Sequence, residues 1–193
     1  MTDRPPSRIV FADANVLYTN ALRDILIELA LADVLTLHWS PAVLDELVRA
    51  LVRNRTDYSP EKGNRLVTAM NAVLPAALVI PSGAGQPPTS LPDPTDVHIL
   101  DAAIHAECNV ILTFNLKHFP AASLLAHKPL ETTHPDDFFI RLLSTQAAAV
   151  LPVIDAVRQN LTRPPMSVGA YTDSLARSNL PRTAELLRHL LPT

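Results

Sequence analysis

Short apolar runs alternate with longer segments of helical periodicity from residue 8 to about residue 132, and this alternation restricts the fold more than any other feature. The apolar runs predict strands at residues 8–12, 34–39, 77–80, 110–114 and 130–132. The segments between them predict helices at residues 15–31, 40–54, 60–73 and 95–107. Strands that alternate with helices form βαβ units, so we expect an α/β fold with a parallel sheet of four to five strands.

The strand pattern stops at about residue 135. Beyond that point the periodicity predicts helices at residues 135–144, 147–160, 167–178 and 181–191. We therefore expect two parts, an α/β domain over residues 8–135 and a helical C-terminal extension over residues 136–193.

Composition removes several classes of protein from consideration. The one cysteine, Cys108, excludes a disulfide framework and a zinc site built from cysteines. The formal net charge of −3 gives no overall positive field for nucleic acid, although a local basic patch remains open. The N-terminal residues do not resemble a signal peptide, and no uninterrupted apolar run reaches the roughly 18 residues of a membrane span. We expect a soluble cytoplasmic protein with no membrane association.

Four carboxylate or carboxamide side chains stand where an apolar run gives way to a helix start or a turn. They are Asp13, Glu46, Asp96 and Asn115. If the runs are parallel strands, all four lie at one edge of one sheet, which is where open α/β folds place their active sites. We take these four as the candidate catalytic residues.

Each of these positions also has a structural explanation. Asp13 could cap the helix that follows it, and Asn115 could form a turn. Glu46 lies on the flank of its predicted helix, where it is either a ligand or a solvated residue. Asp96 projects onto the apolar face of helix 95–107, where a carboxylate is costly unless it is paired, hydrogen-bonded or bound to metal. Asp101 projects onto the polar side, which favours solvation over a ligand role.

Carboxylates that converge repel one another, and a divalent cation removes the repulsion. Oxygen ligands favour Mg²⁺ or Mn²⁺ over zinc, with Asp13 and Asp96 as the main ligands and Glu46 and Asp101 as further candidates. The seven histidines show no HxxxH pairing, and His98 is predicted to lie on the surface of its helix. A magnesium site of this kind typically hydrolyses phosphodiesters with an activated water.

Four segments in this order resemble the PIN-domain family of metal-dependent ribonucleases, and in particular the VapC-type toxins of bacterial toxin–antitoxin pairs. They are residues 9–17 (IVFADANVL), 40–47 (SPAVLDEL), 93–103 (DPTDVHILDAA) and 111–120 (ILTFNLKHFP). The resemblance places the family's first three acids on Asp13, Glu46 and Asp96. Its fourth acid falls on Asn115, an amide, and this departure puts a second metal position in question.

The resemblance also implies a three-layer α/β/α architecture, Mg²⁺ or Mn²⁺ as cofactor, and RNA as substrate. It further implies a small antitoxin protein as partner and, in many members, a homodimer. The helical extension lies outside the matching segments. It either packs against the domain or contributes to antitoxin binding or dimerisation.

A basic rim could bind the RNA backbone around the acids. The candidate residues are Arg49, Arg53 and Lys117, with Arg55, Lys62, Arg65 and His118 nearby and Tyr18 as a possible stacking platform. A solvated helix face explains the same arginines equally well. Two other functions remain open: a catalytically weak PIN module that binds RNA or a protein, and a phosphatase of the haloacid-dehalogenase type. The phosphatase would need a second aspartate where this chain has Asn15.

Overall fold

The computed structural model describes residues 8–81, 91–124, 129–161 and 165–192. Its sheet has four parallel strands in the order β2-β1-β3-β4, with β1 and β3 at the centre. The strands are β1 (Ile9–Ala12), β2 (Thr36–His38), β3 (Val110–Leu112) and β4 (Glu131–Thr133). The predicted parallel sheet is therefore confirmed.

Nine helices are present in the described part of the chain. They are α1 (Ala14–Tyr18), α2 (Asn20–Leu31), α3 (Pro41–Asn54), α4 (Pro60–Val73), α5 (Val97–His105), α6 (Ala121–Leu124), α7 (Pro135–Asn160), α8 (Val168–Arg177) and α9 (Pro181–Leu190). Short 3₁₀ turns occupy Pro75–Ala77, Pro94–Asp96 and Leu116–His118. The starts of α3 and α4 follow from their sequences, because Ser40 and Ser59 each accept a backbone N–H and a proline fills the first helical position.

The helices cover the sheet to give a three-layer α/β/α arrangement, as expected. Helix α5 packs on β1 and β3, and α2 packs on β2. Helix α1 lies against α3, which lies against α4. The core includes Phe11, Trp39 and Ile111, each with no exposed surface. Because β1 and β3 are covered in this way, the polar residues that follow them are held on rigid backbone.

The strand predicted at residues 77–80 is wrong. Pro75–Ala77 is a 3₁₀ turn, and Leu78 makes only an isolated parallel bridge to Trp39. Trp39 donates its backbone N–H to Ala77 and accepts one from Val79, so the pairing is limited to one residue's two hydrogen bonds. A 3₁₀ turn on one side and Pro81 on the other leave this run too short for a ladder. Residues 81–94, whose prolines and glycines predict a loop, lie mostly outside the described residues.

The helix predicted at residues 15–31 is divided into α1 and α2. Thr19 has extended backbone angles (φ −80°, ψ 113°) between them. The buried guanidinium of Arg23 donates to the Leu17 carbonyl at 3.0 Å and to Asn20 Oδ1 at 3.1 Å. This arginine supplies the donor that the interrupted helix cannot supply to Leu17.

The helices predicted at residues 135–144 and 147–160 form one 26-residue element, α7, with a kink at Gln146 (φ −140°, ψ 30°). By length and composition α7 could cross a membrane, with a mean hydropathy of 1.4 over its best window. Phe138, Leu142 and Ile154 are fully buried, but only 28% of this apolar window is buried, so this finding is weak evidence for a membrane span and does not decide between a span and the core helix of a soluble protein.

The C-terminal helices pack against the sheet-bearing part of the chain. Helices α7 and α8 contact α2, and α9 contacts both α7 and α8. Their buried residues belong to the same apolar cluster as the sheet. The division at residue 135 stays a prediction.

Candidate active site

One cavity of about 650 Å³ brings together all four candidate catalytic residues. Asp13, Glu46, Asp96 and Asn115 all line it. The remaining lining residues are Ala14, Asn15, Tyr18, Arg49, Ala50, Arg53 and Asn54. The cavity therefore lies at the carboxyl ends of the two central strands, with α3 as one wall.

Asp13 follows β1 and is held by the neighbouring strand. Its backbone N–H donates to the Leu112 carbonyl at 3.1 Å. Although Asp13 occupies the N-cap position of α1, its side chain caps no backbone N–H. Its Oδ2 instead accepts from Asn15 Nδ2 and from the Thr113 hydroxyl, both at 2.6 Å. The backbone N–H of Asn15 also lowers the pKa of this carboxylate, so capping contributes only weakly beside the two side-chain hydrogen bonds.

The environment of Asp13 disfavours its charge. The side chain is 5% exposed, and burial is the largest effect that raises its pKa above the usual value. The hydrogen bond from Thr113 lowers the pKa, while the charges of Asp96 and Glu46 raise it. Both side-chain donors to Asp13 are neutral groups, so the protein itself only partly offsets the cost of this buried charge.

Glu46 is half-buried on α3 and faces α5. Its Oε1 lies 3.0 Å from Nε2 of His98. Nδ1 of His98 is buried and has no hydrogen-bond partner within the described residues. His98 was expected on the surface of its helix; its side chain is half-buried, at 29% exposed, and its imidazole packs against a cavity-lining carboxylate.

Asp96 lies just outside the regular part of its helix. It ends the 3₁₀ turn Pro94–Asp96 and precedes α5, with no side-chain capping bond of its own. The cap of this segment is Asp93, which accepts the Thr95 backbone N–H at 2.9 Å and the Thr95 hydroxyl at 2.7 Å. Thr95 is thus a donor to the cap and is not itself the cap. Oδ2 of Asp96 lies 2.6 Å from Nδ1 of His118.

Asn115 lines the cavity and also has a structural role. Its backbone N–H donates to the Thr113 hydroxyl at 3.0 Å, and the same hydroxyl donates to Asp13. Asn15 connects the loop after β1 to the turn after β3, because its Oδ1 accepts the Phe114 backbone N–H at 3.2 Å. The turn after β3 is therefore fixed to the loop after β1.

The other predicted site residues divide into two groups. Arg49 and Arg53 line the cavity, and no ion pair to either is present in the described part of the chain. Asp101 and Lys117 do not line it. Among the nearby cations, Arg55 and Lys62 both pair with Asp57 and lie over the ring of Tyr58. Those two are thus engaged away from the acids.

Two family models match this chain, one over the sheet-bearing part and one over the C-terminal helices. The PIN-domain model matches residues 8–117. The chain belongs to the PIN-domain family. The model of the VapC50 C-terminal domain matches residues 135–189, which cover α7 to α9.

Among curated proteins, the chain is similar to a protein from Mycobacterium tuberculosis (strain ATCC 25618 / H37Rv) named "Putative ribonuclease VapC50". The two are 34% identical over 98 residues, which is 51% of this chain and 57% of that protein. The chain thus matches little more than half the length of its relative. No solved structure matches it. The resemblance to VapC-type PIN proteins is confirmed.

Three side chains near the acids of this PIN domain were not identified as site residues from the sequence. They are Asn15, His98 and Thr113. His118 was expected in the basic rim, and its imidazole instead contacts the carboxylate of Asp96. Asn15 and Thr113 carry a readable signal, because each is polar and stands within three residues of the end of a central strand. His98 carries none, since its partner is 52 positions away in sequence.

The donors that line the cavity are chemically suited to a hard divalent cation, although the one group of described acids and histidines with ligand atoms within 4.8 Å of one another is Asp93, Asp96 and His118. Asp13, Glu46 and Asp96 provide carboxylate oxygens around one cavity, and Asn115 adds an amide. The buried carboxylate of Asp13 is repelled by the other two acids and has only neutral side-chain donors. A bound cation would remove this repulsion.

Proposed function

We propose that this PIN-domain protein is a Mg²⁺- or Mn²⁺-dependent endoribonuclease. The observation that carries the proposal is the convergence of Asp13, Glu46 and Asp96 on one open cavity beside Arg49 and Arg53. The name of the mycobacterial relative supports RNA as the substrate. Asp13 and Asp96 are the proposed main ligands, and Glu46 and Asn115 complete the catalytic set.

Each residue has a role that its surroundings support. A bound divalent cation supplies an activated water and neutralises charge at the phosphodiester. Thr113 and Asn15 hold Asp13 in place, and His98 positions Glu46. Asn115 offers a neutral amide to a water or a phosphate oxygen.

The cationic side of the cavity is the proposed RNA-binding surface. Arg49 and Arg53 stand one helical turn apart on α3, next to Glu46. They would neutralise phosphates on either side of the cleaved bond, which makes binding salt-dependent. Lys117, which is exposed outside the cavity, would contact a more distant phosphate. Tyr18 lines the cavity and can stack a base.

Cleavage of labelled structured RNA by the purified protein tests this function. We expect cleavage with Mg²⁺ or Mn²⁺, and loss of cleavage with EDTA or with Asp13→Asn. Asp96→Asn should reduce the rate by at least about 100-fold, whereas the matched variant Asp101→Asn should leave it near wild type. The control for Glu46→Gln is Asp45→Asn, because Asp45 is the exposed neighbour of Glu46 on α3. Cleavage that survives EDTA and Asp13→Asn would refute the metal-nuclease proposal.

A catalytically weak PIN module is the alternative, and the amide at Asn115 favours it. That function predicts RNA or protein binding without cleavage under any divalent metal. RNA binding that is intact in Asp13→Asn, with no cleavage by wild type, would support the alternative.

We further propose that the protein acts in the cytoplasm as the toxin of a toxin–antitoxin pair. Its partner would be a small antitoxin protein that blocks the cavity, and two copies of the chain could form a homodimer. If this is right, the adjacent reading frame encodes a short DNA-binding protein with a disordered tail. Co-purification of that protein should inhibit cleavage, and light scattering of the free chain would give the oligomeric state.

A further inference from the structure

The cluster formed by Asp93, Asp96 and His118 brings an imidazole nitrogen to the edge of the carboxylate site. His118 Nδ1 lies 2.6 Å from Asp96 Oδ2 and 4.0 Å from Asp93 Oδ2. One ligand atom from each residue lies within 4.8 Å of the other two. In an octahedral site, adjacent ligand atoms are about 3 Å apart and opposite ones about 4 Å apart. The 4.0 Å pair therefore has the spacing of opposite ligands, whereas the 2.6 Å pair is a hydrogen bond that would have to open slightly to admit an ion.

The surrounding hydrogen bonds leave the required atoms facing each other. Asp93 uses Oδ1 to accept from the Thr95 backbone and hydroxyl, while its Oδ2 faces His118. Asp96 caps no helix N–H, so its carboxylate is not committed to α5. The side chains of His118, Asp96 and Asp93 are 24%, 20% and 40% exposed, which leaves the cluster open to ions from solvent.

We propose that His118 Nδ1 is a ligand of the bound metal, together with Asp96 and Asp93, and that this site therefore selects a first-row transition ion over Mg²⁺. Mg²⁺ is coordinated almost entirely by oxygen, whereas imidazole best suits zinc, copper, iron and nickel. Mn²⁺ also favours oxygen ligands and serves below as the paramagnetic probe of the site. The ion would share Asp96 with the cavity that holds Asp13 and Glu46. The inference rests on the proposed metal-dependent function, because Asp96 belongs to both sets of ligands.

His118, and not Asn115, supplies the fourth metal-ligand position in this proposal. Asn115 was the expected replacement for a fourth acid, but His118 is the residue in direct contact with Asp96. It stands three positions after Asn115, at the end of the 3₁₀ turn Leu116–His118 that Asn115 begins. The turn thus carries the amide to the cavity and the imidazole to Asp96.

Direct metal binding to the full chain tests the proposal without relying on activity. The protein is stripped with a chelator and titrated with Mn²⁺, which is followed by electron paramagnetic resonance, in the presence and absence of competing Mg²⁺. Electron-spin-echo modulation then reports whether a ¹⁴N nucleus is bonded to Mn²⁺. The variant is His118→Asp, which replaces nitrogen by oxygen, and the matched control is His105→Asp, which changes an exposed histidine on α5.

We expect a ¹⁴N coupling in the wild type and in His105→Asp, and none in His118→Asp. The preference for Mn²⁺ over Mg²⁺ should fall by about 10-fold or more in His118→Asp. The proposal is overturned if the wild type binds Mn²⁺ without ¹⁴N coupling, if it binds no Mn²⁺, or if the coupling persists in His118→Asp. Should His118→Asp fail to fold, His118→Gln and the wild-type spectrum decide the question.

The same experiment separates this proposal from the proposed nuclease function. A ¹⁴N coupling without RNA cleavage would support the His118 ligand and refute the nuclease. Cleavage with equal rates in Mg²⁺ and Mn²⁺, without ¹⁴N coupling, would support the nuclease and refute the His118 ligand.

Discussion

Asp13 is a buried carboxylate that the fold stabilises only in part. Its pKa is raised, first because of burial and then because of the charges of Asp96 and Glu46. The folded protein consequently holds the Asp13 proton more tightly than the unfolded chain does, so ionised Asp13 costs stability above its unfolded pKa of about 3.9. That cost grows as the pH rises and is complete above the raised folded pKa.

The substitution Asp13→Asn should therefore stabilise the metal-free protein while it abolishes cleavage. We expect the free energy of unfolding in EDTA to rise by about 0.5–2 kcal/mol at pH 7.5, and the gain to shrink as the pH falls towards 4. Urea unfolding at several pH values measures this, with Asp45→Asn as a control that should change stability by less than about 0.5 kcal/mol. A loss of stability in Asp13→Asn would show that the Thr113 and Asn15 hydrogen bonds outweigh the repulsion.

At the level of single elements, the close approach of α3 and α4 depends on Gly63. A Cβ at this position would lie 2.8 Å from Cγ1 of Val48, a stiff β-branched side chain on the helix that also carries Glu46. Gly63→Ala should destabilise the protein by about 1–3 kcal/mol through overpacking, which exceeds the gain in helix propensity. The cleavage rate should fall as well, because the helix that carries Glu46 must shift.

Gly169→Ala is the matched control on α8, where the nearest atom to a new Cβ is Ser167 Oγ at 4.0 Å. It should be neutral or stabilise the protein by up to about 1 kcal/mol. Thermal unfolding of both variants decides the matter, and equal melting temperatures would contradict the packing argument.

The last helix begins with a cap that a different helix provides. Asp136, in the first turn of α7, accepts the backbone N–H groups of Arg182 and Thr183 at 3.1 and 2.8 Å, and the Thr183 hydroxyl at 2.7 Å. Asp136→Ala should cost about 2–4 kcal/mol because it leaves buried donors at the start of α9 without a partner. The neighbouring Asp137 forms only an exposed ion pair with Arg182, so Asp137→Ala should cost about 1 kcal/mol or less. Chemical unfolding of the two variants measures the difference.

The elements that carry the acids could be predicted because their signals are local. Asp13 follows an apolar run, and Ser40-Pro41 marks the start of the helix that bears Glu46. The surroundings of Asp96 could not be predicted in the same way. Asp96 lies in a 3₁₀ turn, so a helical wheel drawn through it at 100° per residue assigns its neighbours wrongly. The pairing of His98 with Glu46 depends on tertiary contact, which periodicity does not encode.

For the molecule as a whole, the apolar core is continuous from the sheet to the C-terminal helices. Tyr171, Leu175, Leu180 and Leu187 have no exposed surface, and they belong to the same cluster as Phe11. Burial also raises the pKa of the Tyr171 hydroxyl. It raises the pKa of the Cys108 thiol to about 12. We infer that residues 8–135 and 136–193 unfold together.

Removal of residues 161–193 should therefore destabilise the whole protein and not only its end. The truncated chain would expose the faces of α2 and α7 that α8 and α9 cover, so we expect lost cooperativity and binding of an apolar dye. Calorimetry of the full chain should give a single transition. A truncated chain that melts cooperatively near the full-length temperature would instead show that the rest of the protein folds independently of α8 and α9.

The hydrogen bond between Thr113 and Asp13 joins residues that are 100 positions apart, and this has a consequence for synthesis on the ribosome. At about 5–20 residues per second, roughly 5–20 s pass between the addition of Asp13 and that of Thr113. The central strands also cannot pair before β3 has emerged. If the chain is a ribonuclease, each nascent copy would be harmless to the message that encodes it until most of the sheet-bearing part has been translated.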